Sequence, residues 1–355
     1  MPSRDFHSQV FDEGTLTKLD VFQLYTREWL PVFMAPPDPY WKEIHVFDYF
    51  CGPGCDSSGA EGSPLRIVRE IQNYQSQRSS NGIRIQLHFS DADSSKIIVL
   101  RNKLAPLVTS LTNVTATIET LDFDQAFKKS LPTLNNSTTA KLVFLDPCGV
   151  NFVDHDIFRQ LINSKTTDFL FFLASSYLNR FREVPSIKLK IKRPDDFHHV
   201  HKVALGDFKS LIPAGKSYYL APFSIKKNKN IYGIIFGSAN PLGMDKFLTT
   251  AWNKAPFNGE ANFDIDREDF RSEEPFFPTL FTPTKQSAFE AALKQAILSG
   301  ASLNETSIIG ICFEHGMKRQ HAETVIQDLK QERLIDCDFR VPQLKGSRLI
   351  TLLGK

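Results

Sequence analysis

"HVFDYFCGPGCDSSGAEGSPLRIVREI", residues 45–71, carries an apolar run into a stretch holding Gly52, Pro53, Gly54, Gly59 and Gly62, then turns at once into a helical pattern. Glycine at a strand-to-helix junction lets the backbone approach a ligand closely. It also leaves the N–H groups at the helix N-terminus free to receive a polar or anionic group. A phosphate loop is excluded, because no Gly-Lys-Ser/Thr follows. The glycine spacing does not fit a dinucleotide fingerprint either. Asp48 sits at the end of the apolar run, where a carboxylate faces whatever the glycines admit.

Working outward, the chain alternates. Residues 15–33 have helical spacing, with Leu16, Leu19, Phe22, Trp29 and Val32 on one stripe. Strand-like runs at 43–50, 84–93, 114–123, 140–149 and 168–175 are separated by helix-like runs. Continuous apolar strands between helices predict a parallel sheet covered on both faces. Two further strands flank "KKNKN", residues 226–230, as a hairpin. Five parallel units closed by a hairpin resemble the Rossmann-like sheet of class I methyltransferases, whose last strand runs antiparallel.

In that setting the acids at strand ends become candidates. The glycine loop would receive the methionine end of S-adenosylmethionine, with Asp48 near its sulfonium or amino group. Asp91, closing the second strand, would accept the two ribose hydroxyls, with Asp93 as competitor or as the cap of the helix that starts at Ser94. Asp122, after the third strand, is placed for the adenine amino group. The fourth strand ends Asp146-Pro147-Cys148-Gly149, which resembles the Asn/Asp-Pro-Pro-aromatic element of amino-methyltransferases. Asp146 would position the acceptor amine beside Pro147. The usual aromatic is replaced here, and Phe152 or Tyr177 is the substitute. No general base is obvious. Pro147-Cys148 also resembles the nucleophile of cytosine 5-methyltransferases, but "FLASSYLNR", residues 172–180, lacks the glutamate those enzymes need. Cys51 and Cys55 lack a second pair to complete a zinc site. His198, His199 and His201, beside Asp195 and Asp196, read as a solvated turn. No metal site is expected.

Together, "FDYFCGPG…GSPL" and "FLDPCG" resemble the three-Cys-motif partner family, which looks like class I methyltransferases. Lys18, Tyr25 and Trp29 are similar to residues of the helix preceding the domain there. The resemblance covers about residues 10–250 and extends to the C-terminal region. It implies an S-adenosylmethionine site formed by Asp48, Phe50, Gly52, Gly54, Asp91 and Asp122, and a partner protein bearing a three-cysteine motif. Cys51 and Cys148 depart from the usual Ala and Tyr.

The net charge of +2 gives the whole molecule no strong pull towards nucleic acid, so any such pull must be local. A basic insertion at about 176–217 supplies it, with Lys188, Lys190, Lys192 and Arg193 as the phosphate-facing candidates. Five cysteines, no apolar core near the N-terminus and no membrane-length apolar run suggest a reduced, cytoplasmic protein without a membrane. The expected organisation is a Rossmann-like methyltransferase domain over 1–260, a Pro-rich linker over 261–284 and a winged helix-turn-helix over 285–355. The last is read from three amphipathic helices and two strands within 337–353. Methyl transfer to nucleic acid is the leading expectation, and a non-catalytic nucleic-acid- or partner-binding module retaining the fold is the rival.

Overall fold

The structure is a computed structural model that describes residues 9–77, 82–147, 155–173, 200–227, 230–263, 265, 284–301 and 303–353. Its chain separates into two compact units, Met1–Gly243 and Met244–Lys355.

In the first unit, α1 (Glu13–Met34) precedes β1 (Glu43–Asp48), α2 (Ser63–Gln77), β2 (Arg84–Asp91), α3 (Ser94–Thr109) and β3 (Val114–Thr120). Then come α4 (Phe123–Leu134), β4 (Ala140–Leu145), α5 (His155–Asn163), β5 (Thr167–Leu173), α6 (Val200–Ser210), β6 (Tyr219–Lys227) and β7 (Asn230–Ser238). The seven strands form one sheet in the order β3-β2-β1-β4-β5-β7-β6. β1 to β5 are parallel, and β7 alone opposes its neighbours β5 and β6. This mostly parallel α/β sheet matches the Rossmann-like methyltransferase fold expected from the strand pattern.

The central strand β4 is buried at every position, as a sheet covered on both faces requires. Edge strand β3 instead alternates between partly buried and exposed residues. On one face Phe22 of α1 stacks on Phe144 at 3.9 Å. On the other, Phe47, Phe127, Val143, Leu145, Phe158 and Phe169 form a continuous core under α4 and α5. Two helices escaped the sequence reading. One is α6, where His201 is buried rather than part of a solvated turn. It packs so closely on β7 that a Cβ at Gly233 would lie 3.2 Å from the His201 Cβ. His198, His199, Asp195 and Asp196 lie outside the described residues, as do Lys188, Lys190, Lys192, Arg193, Phe152, Tyr177 and Cys148.

The other is α7 (Pro241–Lys254), which begins at the division between the units. Residues 252–260 bond within the second unit: Trp252 Nε1 donates to Gly316 O at 3.0 Å, and Lys285 pairs with Glu260 at 3.2 Å. The division at 243/244 thus puts residues 244–260, which include this segment, in the second unit, where the sequence reading set the boundary at 260. The second unit continues with α8 (Lys285–Leu298), α9 (Glu305–Glu314), α10 (Ala322–Gln331) and a ribbon of β8 (Ile335–Asp336) with β9 (Thr351–Leu352). The first ribbon strand therefore precedes Cys337 instead of following it. Buried Glu305 organises the return loop, accepting from Gln343 N at 2.8 Å, Arg348 N at 3.1 Å and Arg348 Nη2 at 2.6 Å. Among the described residues no helix is long and apolar enough to cross a membrane.

Candidate functional site

The glycine loop leaves the carboxyl end of β1 for α2 and is held from the carboxyl end of β2. Asp48 is the last residue of β1 and is wholly buried. Its Oδ2 accepts from Ser63 Oγ at 2.6 Å and its Oδ1 from Phe50 N at 3.1 Å. Burial pushes its pKa up to about 7, against the pull of those donors, with Asp146 and Asp91 adding repulsion. Asp91, the last residue of β2, accepts from Gly52 N at 3.1 Å and from Asp93 N at 2.9 Å. Asp93 caps α3 by accepting from Ser95 N at 2.9 Å. The two acids thus divide the labour: one holds the loop, the other starts the helix.

Gly52 and Gly54 adopt φ +58° and +84°, a region costly for other residues. A Cβ at Gly54 would come within 2.7 Å of Leu100 Cδ1, and Gly62 N donates to Gly54 O at 2.8 Å. Replacing Gly54 by Ala is expected to cost about 1–3 kcal/mol from backbone strain and crowding. Urea unfolding of the variant measures it, and an unchanged midpoint would show that the loop is loosely held. Asp56 answers for the acid in the loop. It accepts from Phe11 N at 2.6 Å and from Ser58 N, Ser58 Oγ and Ala60 N, each at 2.8 Å. Its role is to brace the turn.

Phe50 is partly buried and stacks on Phe123, ring centroids 5.3 Å apart. That places it over the start of α4, next to Asp122. Asp122 is exposed and caps α4 by accepting from Gln125 N at 2.9 Å. The structure therefore gathers Asp48, Phe50, Gly52, Gly54 and Asp91 around one loop. Asp122 stands at the rim with one oxygen already engaged.

Asp146 follows β4 and is largely buried; Pro147 beside it is buried. Asp146 forms an ion pair with Lys18 of α1, a partner the acceptor reading did not anticipate. The Lys18 ammonium also lies 4.6 Å from the Phe172 ring centroid. One sequence signal was available: Lys18, Phe22, Tyr25 and Trp29 recur at helical spacing, so a lysine occupies an otherwise aromatic stripe. The same stripe delivers Tyr25, whose hydroxyl donates to partly buried Asp168 at 2.8 Å. Burial raises the Asp168 pKa to about 6, against hydrogen bonds from Ser238, Tyr25 and Trp29.

On the opposite face of the sheet, a cavity of about 300 Å³ lies between β1–β3 and α4, lined by Phe47, Tyr49, His88, Glu119 and Lys129 among others. His88 is within 3.0 Å of His45, and burial holds its pKa down at about 4.

No family model and no curated protein matches the chain. Among solved structures, the O-methyltransferase TomG from Streptomyces achromogenes, involved in tomaymycin synthesis and in complex with SAM, is 14% identical. The match covers 64% of this chain and 89% of that one, with a TM-score of 0.33. An rRNA methylase from Streptococcus thermophilus is 6% identical, over 64% of this chain and 98% of that one, with a TM-score of 0.32. Likenesses this distant decide nothing about what the present chain binds or acts on.

Proposed function

We propose that the chain is an S-adenosylmethionine-dependent methyltransferase acting on an amino group, with nucleic acid as the substrate class, and that it belongs with the three-Cys-motif partner proteins its motifs resemble. The observation that carries this reading is the convergence of Asp48, Asp91 and the Gly52–Gly54 turn at the carboxyl ends of adjacent strands, where open α/β sheets bind ligands. The fit is chemical. The loop's positive-φ glycines bring bare backbone to the site, and a part-exposed carboxylate at Asp91 suits a ribose diol. Buried Asp48 suits a cationic group. Phe50 offers an apolar edge, and Asp122 keeps an oxygen for an adenine amine. When bound, the cofactor supplies an electrophilic methyl group. Asp146 orients the acceptor nitrogen, with Pro147 shaping the turn behind it.

The three helices and ribbon of the second unit are assigned as a winged helix-turn-helix, and Lys188, Lys190, Lys192 and Arg193 as phosphate contacts. A cytoplasmic location and a three-cysteine partner belong to the same proposal. The rival reading keeps the fold without catalysis.

Calorimetry with S-adenosylhomocysteine tests the cofactor step, and no heat of binding would favour the rival. Label transfer from S-adenosylmethionine to nucleic acid tests the chemistry. Asp146→Ala should then bind cofactor while turnover collapses, because its contact strengthens as the nitrogen becomes tetrahedral. Cys148→Ser should be mild. Loss of transfer in Cys148→Ser with retention in Asp146→Ala would point instead to a cysteine nucleophile.

A further inference from the structure

The Lys18–Asp146 pair joins residues 128 apart in sequence, and both side chains are withdrawn from solvent, at 10% and 17% exposure. The lysine enters from α1, outside the strand-end elements that build the rest of the site. Its ammonium meets two surfaces, the Asp146 carboxylate and the face of Phe172. Phe172 is itself backed by Tyr232, stacked at 5.4 Å. A carboxylate beside an aromatic face is the chemistry that receives a positively charged amino group.

We propose that Asp146 and Phe172 form a seat for the amino group of an incoming ligand, and that Lys18 is a built-in occupant which that ligand must displace. The role of the seat rests on the methyl-transfer reading, but its ligand chemistry does not. Lys18 is then a gate. With it in place, the carboxylate near buried Asp48 is neutralised and the seat is closed to amines. An arriving ammonium group exchanges one cation for another, so no carboxylate is left bare during the exchange, and it must release its proton before its nitrogen has the lone pair a methyl acceptor needs. Because the first turns of α1 carry Lys18, the gate opens by swinging the lysine stem or by loosening this end of the helix.

The test is rescue by small amines. Lys18→Met keeps an unbranched stem and removes the charged nitrogen; methylammonium is its probe. Lys18→Ala removes the stem as well; n-butylammonium is its probe. Each is titrated at constant chloride concentration, read by thermal shift and by NMR chemical-shift changes. At least one variant should bind its amine about tenfold or more tightly than the wild type does, as expected for a regained charge-assisted contact. Adding Asp146→Asn to that variant should abolish the gain. If neither variant gains amine affinity, or if the gain survives Asp146→Asn, the pair is a structural clasp and the seat is refuted. Lys18→Met guards against unfolding of the Ala variant, and far-UV circular dichroism checks both. S-adenosylhomocysteine titration of the same proteins separates this proposal from the methyl-transfer reading. Amine rescue without cofactor binding overturns that reading and leaves the seat standing. Cofactor binding without amine rescue overturns the seat alone.

Discussion

At pH 8, Asp48→Asn is expected to be more stable than the parent protein by up to about 4 kcal/mol, and the difference should vanish near pH 4. Asp48 is wholly buried, and its pKa rises from an ordinary 3.8 to about 7. Between those values the folded chain binds more protons than the unfolded one. Stability from this group is therefore fully present below pH 3.8 and is lost as pH rises through 7. Asparagine never ionises. Its amide can donate to Ser63 Oγ and accept from Phe50 N, so the local contacts of Asp48 have substitutes. Other groups titrate in the same window: Asp168, raised to about 6, acts in the same direction, and His88, lowered to about 4, acts in the opposite one. Both are common to the two proteins, so the variant-minus-parent difference isolates Asp48. Urea unfolding from pH 4 to 8 measures it, and parallel curves would show that Asp48 is charged throughout. Under the proposed function the stabilised variant should bind S-adenosylhomocysteine less well, because a charge kept at a cost in stability is one the site uses.

The second large effect is on affinity. Asp91→Ala should weaken S-adenosylhomocysteine binding by about 1.5–3 kcal/mol, the range for hydrogen bonds to a charged group, or roughly ten- to hundredfold. Asp93→Ala should leave affinity unchanged and cost stability instead, about 1 kcal/mol for a lost helix cap. The geometry sets this division: Asp91 receives Gly52 N and so shapes the loop, whereas exposed Asp93 receives Ser95 N of α3. Calorimetry on both variants decides it. A larger affinity loss in Asp93→Ala would move the ribose contact from one acid to the other.

Much of this was legible in the residues. Apolar strands buried on both faces, glycines between a strand and a helix, and acids at successive strand ends are local patterns. Local backbone and burial preferences are what a sequence encodes directly. The hairpin at "KKNKN" was local too, and the reversed β7 agrees with what the resemblance to class I methyltransferase sheets implied, whereas the strand order came only with the tertiary structure. The caps at Asp93 and Asp122 were equally local, and Asp93 was recognisable as one in advance. Four features depended on distant segments meeting. Lys18 could be seen as a cation within an aromatic stripe, but its pairing with Asp146 exists only because α1 crosses the carboxyl end of β4. Helix α6 and buried His201 formed where the chain was read as a basic, solvated insertion, because packing on β7 outweighed local polarity. The segment 252–260 joined the second unit through Trp252 and Glu260, contacts that no local pattern announces. The raised pKa of Asp48 is likewise tertiary: the sequence supplied the carboxylate, but its removal from water and its nearness to Asp91 and Asp146 came from the sheet closing around it.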